Sequence, residues 1–202
     1  GQLVDGNCIS LDGVNQYGVV ANSDDFSGED WTLSGYFRKT SLGTEDHLVS
    51  QSNGTGTGRT ILAIWSNDLW ATEIAGALYY FAGVTAPVVD TTYFWSLNKT
   101  DTSFVLTVQF DGTTEVSDTV VRTMEAANGD IMICTRTTGA GNYFPGKVWG
   151  LKLDHANGFE LPMAEGSGSV SYDVLGGKDC TWVNSPSWGS QSQYFWNENQ
   201  GC

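Results

Sequence analysis

From Trp31 to Lys39 the chain alternates Trp31, Leu33, Gly35 and Phe37 with Thr32, Ser34, Tyr36 and Arg38. A period of two is the signature of a strand with one face buried and the other turned outward. A second strand-like run, Tyr17 to Val20, precedes it across a polar, acidic turn from Asn22 to Asp30. Further strand candidates follow at Cys8 to Leu11, His47 to Gln51, Thr60 to Trp65, Leu69 to Glu73 and Leu78 to Ala82. The second half offers Tyr93 to Asn98, Phe104 to Phe110, Thr114 to Ser117, Ile131 to Thr135 and Lys147 to Asp154. Short strands punctuated by Gly, Asn and Asp, with no amphipathic helix between them, predict an all-β, two-sheet antiparallel jelly-roll sandwich rather than a parallel α/β fold. No internal repeat points to a propeller or solenoid, and no apolar run is long enough to span a membrane as a helix.

At 202 residues the chain suits one large sandwich. Nine Lys and Arg face 23 Asp and Glu, a formal net charge of −14. That balance repels a phosphate backbone and an anionic membrane surface, so neither nucleic acid nor membrane insertion is expected. Cys8, Cys134, Cys180 and Cys202 contain no C-x-x-C spacing. Two of them lie in strand-like runs where a free thiol is an ordinary small hydrophobe, so no extensive disulfide framework is expected. No charged-then-apolar leader precedes Gly1, which suits a processed chain, a fragment, or one assembled without a signal peptide.

Several segments carry a resemblance to a known family. Leu11-Asp-Gly-Val-Asn-Gln-Tyr-Gly-Val-Val20 and Trp31-Thr-Leu-Ser-Gly-Tyr-Phe-Arg-Lys39 are followed by Tyr93-Phe-Trp-Ser-Leu-Asn98 and Phe104-Val-Leu-Thr-Val-Gln-Phe-Asp-Gly112. Asp111-Gly112 reads as a hairpin turn, Gly supplying a positive φ. Ile131-Met-Ile-Cys-Thr-Arg136 and Tyr143-Phe-Pro-Gly-Lys-Val-Trp-Gly-Leu-Lys-Leu153 close the series. Together, over roughly residues 7 to 155, they resemble the laminin G-like, concanavalin A-type β-sandwich domains, a family that mostly binds glycans and often holds calcium. The chain departs from that pattern at Trp149 and Gly150, where the family usually carries an acidic pair. From Phe159 the texture changes, and Leu161-Pro-Met-Ala-Glu-Gly-Ser-Gly-Ser-Val-Ser-Tyr-Asp173 resembles a segment found beside such domains in phage tail and other virion proteins. The expected organisation is a sandwich over residues 1–157 and an irregular aromatic extension over 158–202. Trp182, Trp188, Tyr194 and Trp196 would dock that extension on the sandwich or on a neighbouring subunit.

Catalytic signatures are sparse. A retaining glucanase on this fold carries Glu-x-Asp-x-x-Glu along one strand, and the chain has no such triplet. Glu29-Asp30 and Glu45-Asp46 are adjacent pairs that read as solvated turns. His47 and His155 are the only histidines, and His47 reads as a satisfied structural group at the start of a strand. The Gly-rich run Asn53 to Gly58 has no lysine and no helix after it, so it reads as a loop rather than a phosphate cradle. The expectation is therefore a chain that is not an enzyme.

Binding asks for less: a flat aromatic face against the C–H face of a sugar, ringed by groups that fix its hydroxyls. Trp65, Asn67, Asp68 and Trp70 form a Trp, polar turn, Trp hairpin of that kind, with Tyr80 as an outward-facing neighbour. The same two tryptophans could equally fill the core. Asp24 and Asp25 could offer oxygens to calcium, or simply cap their own turn. The sequence thus reads as a non-catalytic carbohydrate-binding or adhesion module, displayed in many copies on a virion or other extracellular surface. Its partners would be a glycan and either further copies of itself or virion proteins. The alternatives are a capsid-decoration or fibre subunit using the sandwich as scaffold and, behind it, a polysaccharide hydrolase or lyase.

Overall fold

The computed structural model describes residues 2–22, 24–52, 58–74, 76–110, 114–136 and 141–195, with the backbone alone described at 2–5, 52, 58, 114 and 191–195. The strands are β1 (Gln2–Asp12), β2 (Tyr17–Val20), β3 (Trp31–Lys39), β4 (Asp46–Ser52), β5 (Gly58–Ile64), β6 (Trp70–Ile74), β7 (Ala77–Tyr80) and β8 (Thr92–Thr100). They continue with β9 (Ser103–Phe110), β10 (Thr114–Val121), β11 (Ile131–Ile133), β12 (Pro145–Asp154), β13 (Phe159–Leu161), β14 (Val170–Ser171), β15 (Cys180–Val183) and β16 (Ser187–Phe195). One sheet runs β10-β9-β8-β3-β12-β1-β16 with β13 beside β12; the other runs β14-β15-β2-β11-β4-β5-β6-β7. Every pairing is antiparallel between the two layers' own strands, as the alternating sequence requires.

In β3 buried and half-buried residues follow one another strictly in turn. Its inner face packs against the second sheet through Phe37, whose ring stacks on Tyr93 at 5.2 Å and meets Trp70 and Phe144 edge-on at 5.4 and 5.7 Å. Gly35 holds its place because a Cβ there would come within 2.6 Å of a Leu151 methyl. In β12 the register slips between Trp149 and Lys152, with Gly150 at φ 58°, the positive value glycine tolerates. At that bulge β1 parts from β12, and β13 takes over the vacated edge from Leu151 to Leu153. The hairpin between β9 and β10 forms as expected, although its Asp111-Gly112 turn, like the Gly-rich run at 53–57, lies outside the described residues.

The C-terminal segment differs from the expected irregular extension. It supplies β13 and β16 to one sheet and β14 and β15 to the other. β16 pairs with β1 in unbroken register from Gln2↔Phe195 to Ser10↔Ser187. Trp182, expected to dock the extension on the sandwich or on a neighbouring subunit, is buried in β15 beside β2, with its indole N–H donated to Ser171 Oγ at 2.9 Å. Trp188 is half-buried on the edge of the same core and donates to the Gly168 carbonyl at 2.8 Å. Only the backbone of Tyr194 is described, opposite Leu3, and Trp196 lies outside the described residues. The turn between β14 and β15 is pinned by Asp173, whose carboxylate accepts backbone N–H bonds from Glu160, Leu175, Gly177 and Lys178 at 2.8 to 3.0 Å. Burial alone would raise that carboxyl's pKa, but the four donors outweigh it and hold it below the usual range.

Candidate functional site

The strand ends decide where chemistry can gather. β1 ends at Asp12 opposite Pro145, where β12 begins; β3 ends at Lys39 opposite Gly146; β4 begins at Asp46 opposite Ile64, where β5 ends. The turns at 13–16, 40–45, 65–69 and 141–144 therefore leave the sandwich at one end. Between them lies a cleft of about 360 Å³ lined by Asp12, Ser41, Thr44, Glu45, Asn142 and Tyr143, with Asp46 at its base.

A buried polar relay builds the wall of this cleft. His47 is wholly buried; its Nε2 lies 2.8 Å from Glu45 Oε1 and its Nδ1 lies 2.9 Å from Thr60 Oγ1. Burial, the largest influence, pushes the imidazole below its ordinary pKa against the pull of Glu45, so the neutral ring is the resting form. In that form Nε2–H donates to the carboxylate and Nδ1 accepts the threonine hydroxyl. Asn142 Nδ2 donates to the same Glu45 oxygen at 2.5 Å. The order Thr60, His47, Glu45 resembles a nucleophile, base and orienting acid, but Thr60 is only 2% exposed and its hydroxyl cannot meet a substrate. The relay positions Glu45 instead.

Asp46 is equally constrained. It is 1% exposed, accepts Thr44 Oγ1 at 2.9 Å, and pairs with the wholly buried Lys39, whose Nζ lies 2.5 Å from Oδ2. Burial is the largest influence on its carboxyl and raises the pKa despite Lys39 and Thr44. The expected solvated Glu45-Asp46 turn is thus half right: Glu45 faces the cleft, while Asp46 is interior. Tyr143 stacks on Tyr17 at 6.1 Å and gives the cleft a flat aromatic wall.

The predicted hairpin abuts this cleft and separates into two parts. Trp65 is half-buried, with its ring 6.2 Å from His47. Asn67 is exposed and its Oδ1 accepts the Leu69 N–H at 3.2 Å. Asp68, at φ 61°, accepts the Gly43 N–H at 2.8 Å and so ties the hairpin to the cleft loop. Trp70 is a correction: it is 0% exposed, donates to the Thr85 carbonyl at 3.0 Å and fills the core, because the first residue of β6 points inward. It cannot touch a ligand. Tyr80 is 36% exposed on the edge strand β7, while Tyr79 lies half-buried under the Arg122 guanidinium at 4.5 Å.

Asp24 and Asp25, the oxygens expected to meet calcium, are engaged by the chain's own cations. Lys178 Nζ lies 2.8 Å from Asp24 Oδ2 and 2.7 Å from Asn22 Oδ1. Asp25 caps Ser27 and Ala127 and faces Arg59 at 3.6 Å. Arg59 is itself 1% exposed and donates to Gln51 and the Glu125 carbonyl, with burial lowering its pKa to about 10. Among the described residues no three His, Cys, Asp or Glu side chains are grouped to hold a metal ion.

Local reading of the sequence missed Asp12, Glu45, Asn142 and Tyr143. The signal was present in the two motifs that meet here, Leu11-Asp-Gly13 and Tyr143-Phe-Pro-Gly146, whose Asp12 and Pro145 are register partners.

Comparison with known proteins places the fold. No family model matches the sequence, and no curated protein does. A solved structure from Bacteroides ovatus, described as a candidate carbohydrate-binding protein, superposes with a TM-score of 0.64 over 94% of this chain and 60% of that one, at 11% identity. Domains LG4-5 of the mouse laminin α1 chain give a TM-score of 0.52 over 79% of this chain and 42% of that one, at 16% identity. A heptameric pentraxin of Limulus polyphemus gives 0.51 over 74% and 75%, at 9% identity. The chain thus spans little more than half of the first of these proteins and less than half of the second. It shares their jelly-roll, laminin G-like sandwich.

Proposed function

We propose that this chain is a non-catalytic carbohydrate-recognition module that seats a saccharide in the cleft between Asp12, Glu45 and Tyr143, with Trp65 as a flanking aromatic face. The observation that carries the reading is the composition of the cleft: a stacked tyrosine wall beside hydroxyl, amide and carboxylate groups, with Glu45 held in place by the buried His47 and Asn142. The likeness to the Bacteroides ovatus protein supports it at the level of the fold. Single sugar contacts are weak, and linked copies raise avidity by roughly 10² to 10⁴. Display in several copies on a virion or another extracellular surface fits that arithmetic. A glycan array probed with the wild type, Trp65→Ala and Tyr143→Ala tests the site. Loss of signal in Tyr143→Ala and weakening in Trp65→Ala are expected, and an array pattern untouched by both substitutions would remove the cleft from consideration.

A second reading, polysaccharide hydrolysis, draws on the meeting of Asp12, at the end of β1, with the adjacent Glu45 and Asp46 at the start of β4. Against it, Asp46 is closed from solvent by its pairing with Lys39, so the carboxyl with the raised pKa is not presented as a general acid. Release of reducing ends from a polysaccharide panel, abolished by Glu45→Gln, would establish the hydrolytic reading in place of the first.

A further inference from the structure

Resting on the reading of this cleft as a saccharide site, we propose that its ligand is an amino sugar bearing a free ammonium group, and that the cleft turns anionic sugars away. The described residues lining the cleft include three carboxylates, those of Asp12, Glu45 and Asp46, and no lysine or arginine. Lys39, at 2.5 Å from Asp46, is wholly buried and cancels that charge alone. Asp12 and Glu45 remain uncompensated.

Glu45 is the specificity-determining group. Its bonds from His47 Nε2 and Asn142 Nδ2 both fall on Oε1. Oε2 is thereby fixed in direction by two donors on its sister oxygen, and the side chain keeps 24% exposure. A carboxylate oxygen prepared in this way is an acceptor for an N⁺–H donor, and charge-assisted bonds of this kind are roughly twice as strong as neutral ones. Asp12, exposed across the cleft, spends Oδ1 on the Val14 N–H at 2.8 Å and adds a second negative charge. A uronate or sulfated sugar would place like charge against both, on a chain of net charge −14. A lysine side chain also brings an ammonium, but Ser41, Thr44 and Asn142 around a tyrosine face suit a ring carrying several hydroxyls.

Calorimetric titration of the intact chain with four probes tests this: a glucosamine tetramer, its N-acetylated counterpart, a galacturonate tetramer and tetralysine. The amine tetramer is expected to bind about tenfold more tightly than the acetylated one, a gap that shrinks with added salt, while galacturonate and tetralysine show no binding. Glu45→Gln should bring the amine and acetyl forms within about twofold, and Asp12→Asn should narrow the gap in the same direction. Asp154→Asn, at the far end of β12 from Pro145, should leave it unchanged. Thermal melts confirm folding, and the Asp12 variant carries the test where the Glu45 variant fails to fold. Equal binding of acetylated and amine forms, or of tetralysine and the amine tetramer, overturns the charge selectivity and leaves the saccharide site standing. Absence of binding by every saccharide overturns both.

Discussion

Two tryptophans five positions apart show how finely the residue scale decides burial. Trp65 sits where β5 has just ended and keeps part of its ring at the surface, whereas Trp70 opens β6 and is wholly enclosed by Phe37 and Tyr93. Truncating an enclosed tryptophan removes its contacts and leaves a cavity, a loss of about 3–5 kcal/mol. Trp70→Ala should therefore lower the unfolding free energy read by urea denaturation sharply, while Trp65→Ala should lower it by about 1 kcal/mol or less and act instead on the proposed ligand binding. Equal midpoints for the two variants would contradict the placement of Trp70. The same scale explains Asp173, where four backbone donors on one carboxylate make a surface-looking acidic residue a structural pin.

Among the elements, β16 has the largest structural consequence for its modest sequence. It covers the outer edge of β1 from Gln2 to Ser10, a row of backbone donors and acceptors that would otherwise be open to pairing with another chain. A chain ending at Val183 should lose several kcal/mol of stability and self-associate, the first read by urea denaturation and the second by light scattering. A monodisperse truncated chain with an unchanged midpoint would show that β16 is dispensable. Elements with clear period were legible from sequence: β2 and β3 fall at Tyr17–Val20 and Trp31–Lys39, the bounds their alternation implies. β13 and β14 are too short to show any period, and β16 reads Ser-Trp-Gly-Ser-Gln-Ser-Gln-Tyr-Phe, with polar residues at most positions. Beside the cleft, the proximity of Trp65 and Asp68 was legible because a hairpin keeps neighbours in sequence together. Asp12, Glu45 and Asn142 come from three separate turns, and only the register of β1, β3, β4 and β12 brings those turns to one end.

For the whole molecule, buried ionisable groups set the response of stability to pH. The carboxyls of Asp25 and Asp173 lie below the ordinary value because backbone donors outweigh the effect of burial. Their stabilisation is present above about pH 4 and disappears only as acid reaches their lowered folded values. Asp46 has the opposite sign: its raised folded pKa costs stability as pH climbs from the ordinary carboxyl value through the folded one. His47 acts earlier in an acid titration. Its folded pKa is depressed by burial, so below about pH 6.5 the unfolded chain takes up a proton that the folded chain refuses. Stability should be fullest above that point and fall as pH drops from there through the lowered folded value. Urea midpoints measured between pH 7 and pH 5 should therefore decline in the wild type. Substitution His47→Gln, which keeps an amide donor for Glu45 but cannot titrate, should lower stability at pH 7 yet flatten that decline. A slope identical in the two proteins would assign the acid sensitivity to another group and leave His47 with a purely positional role beneath the cleft.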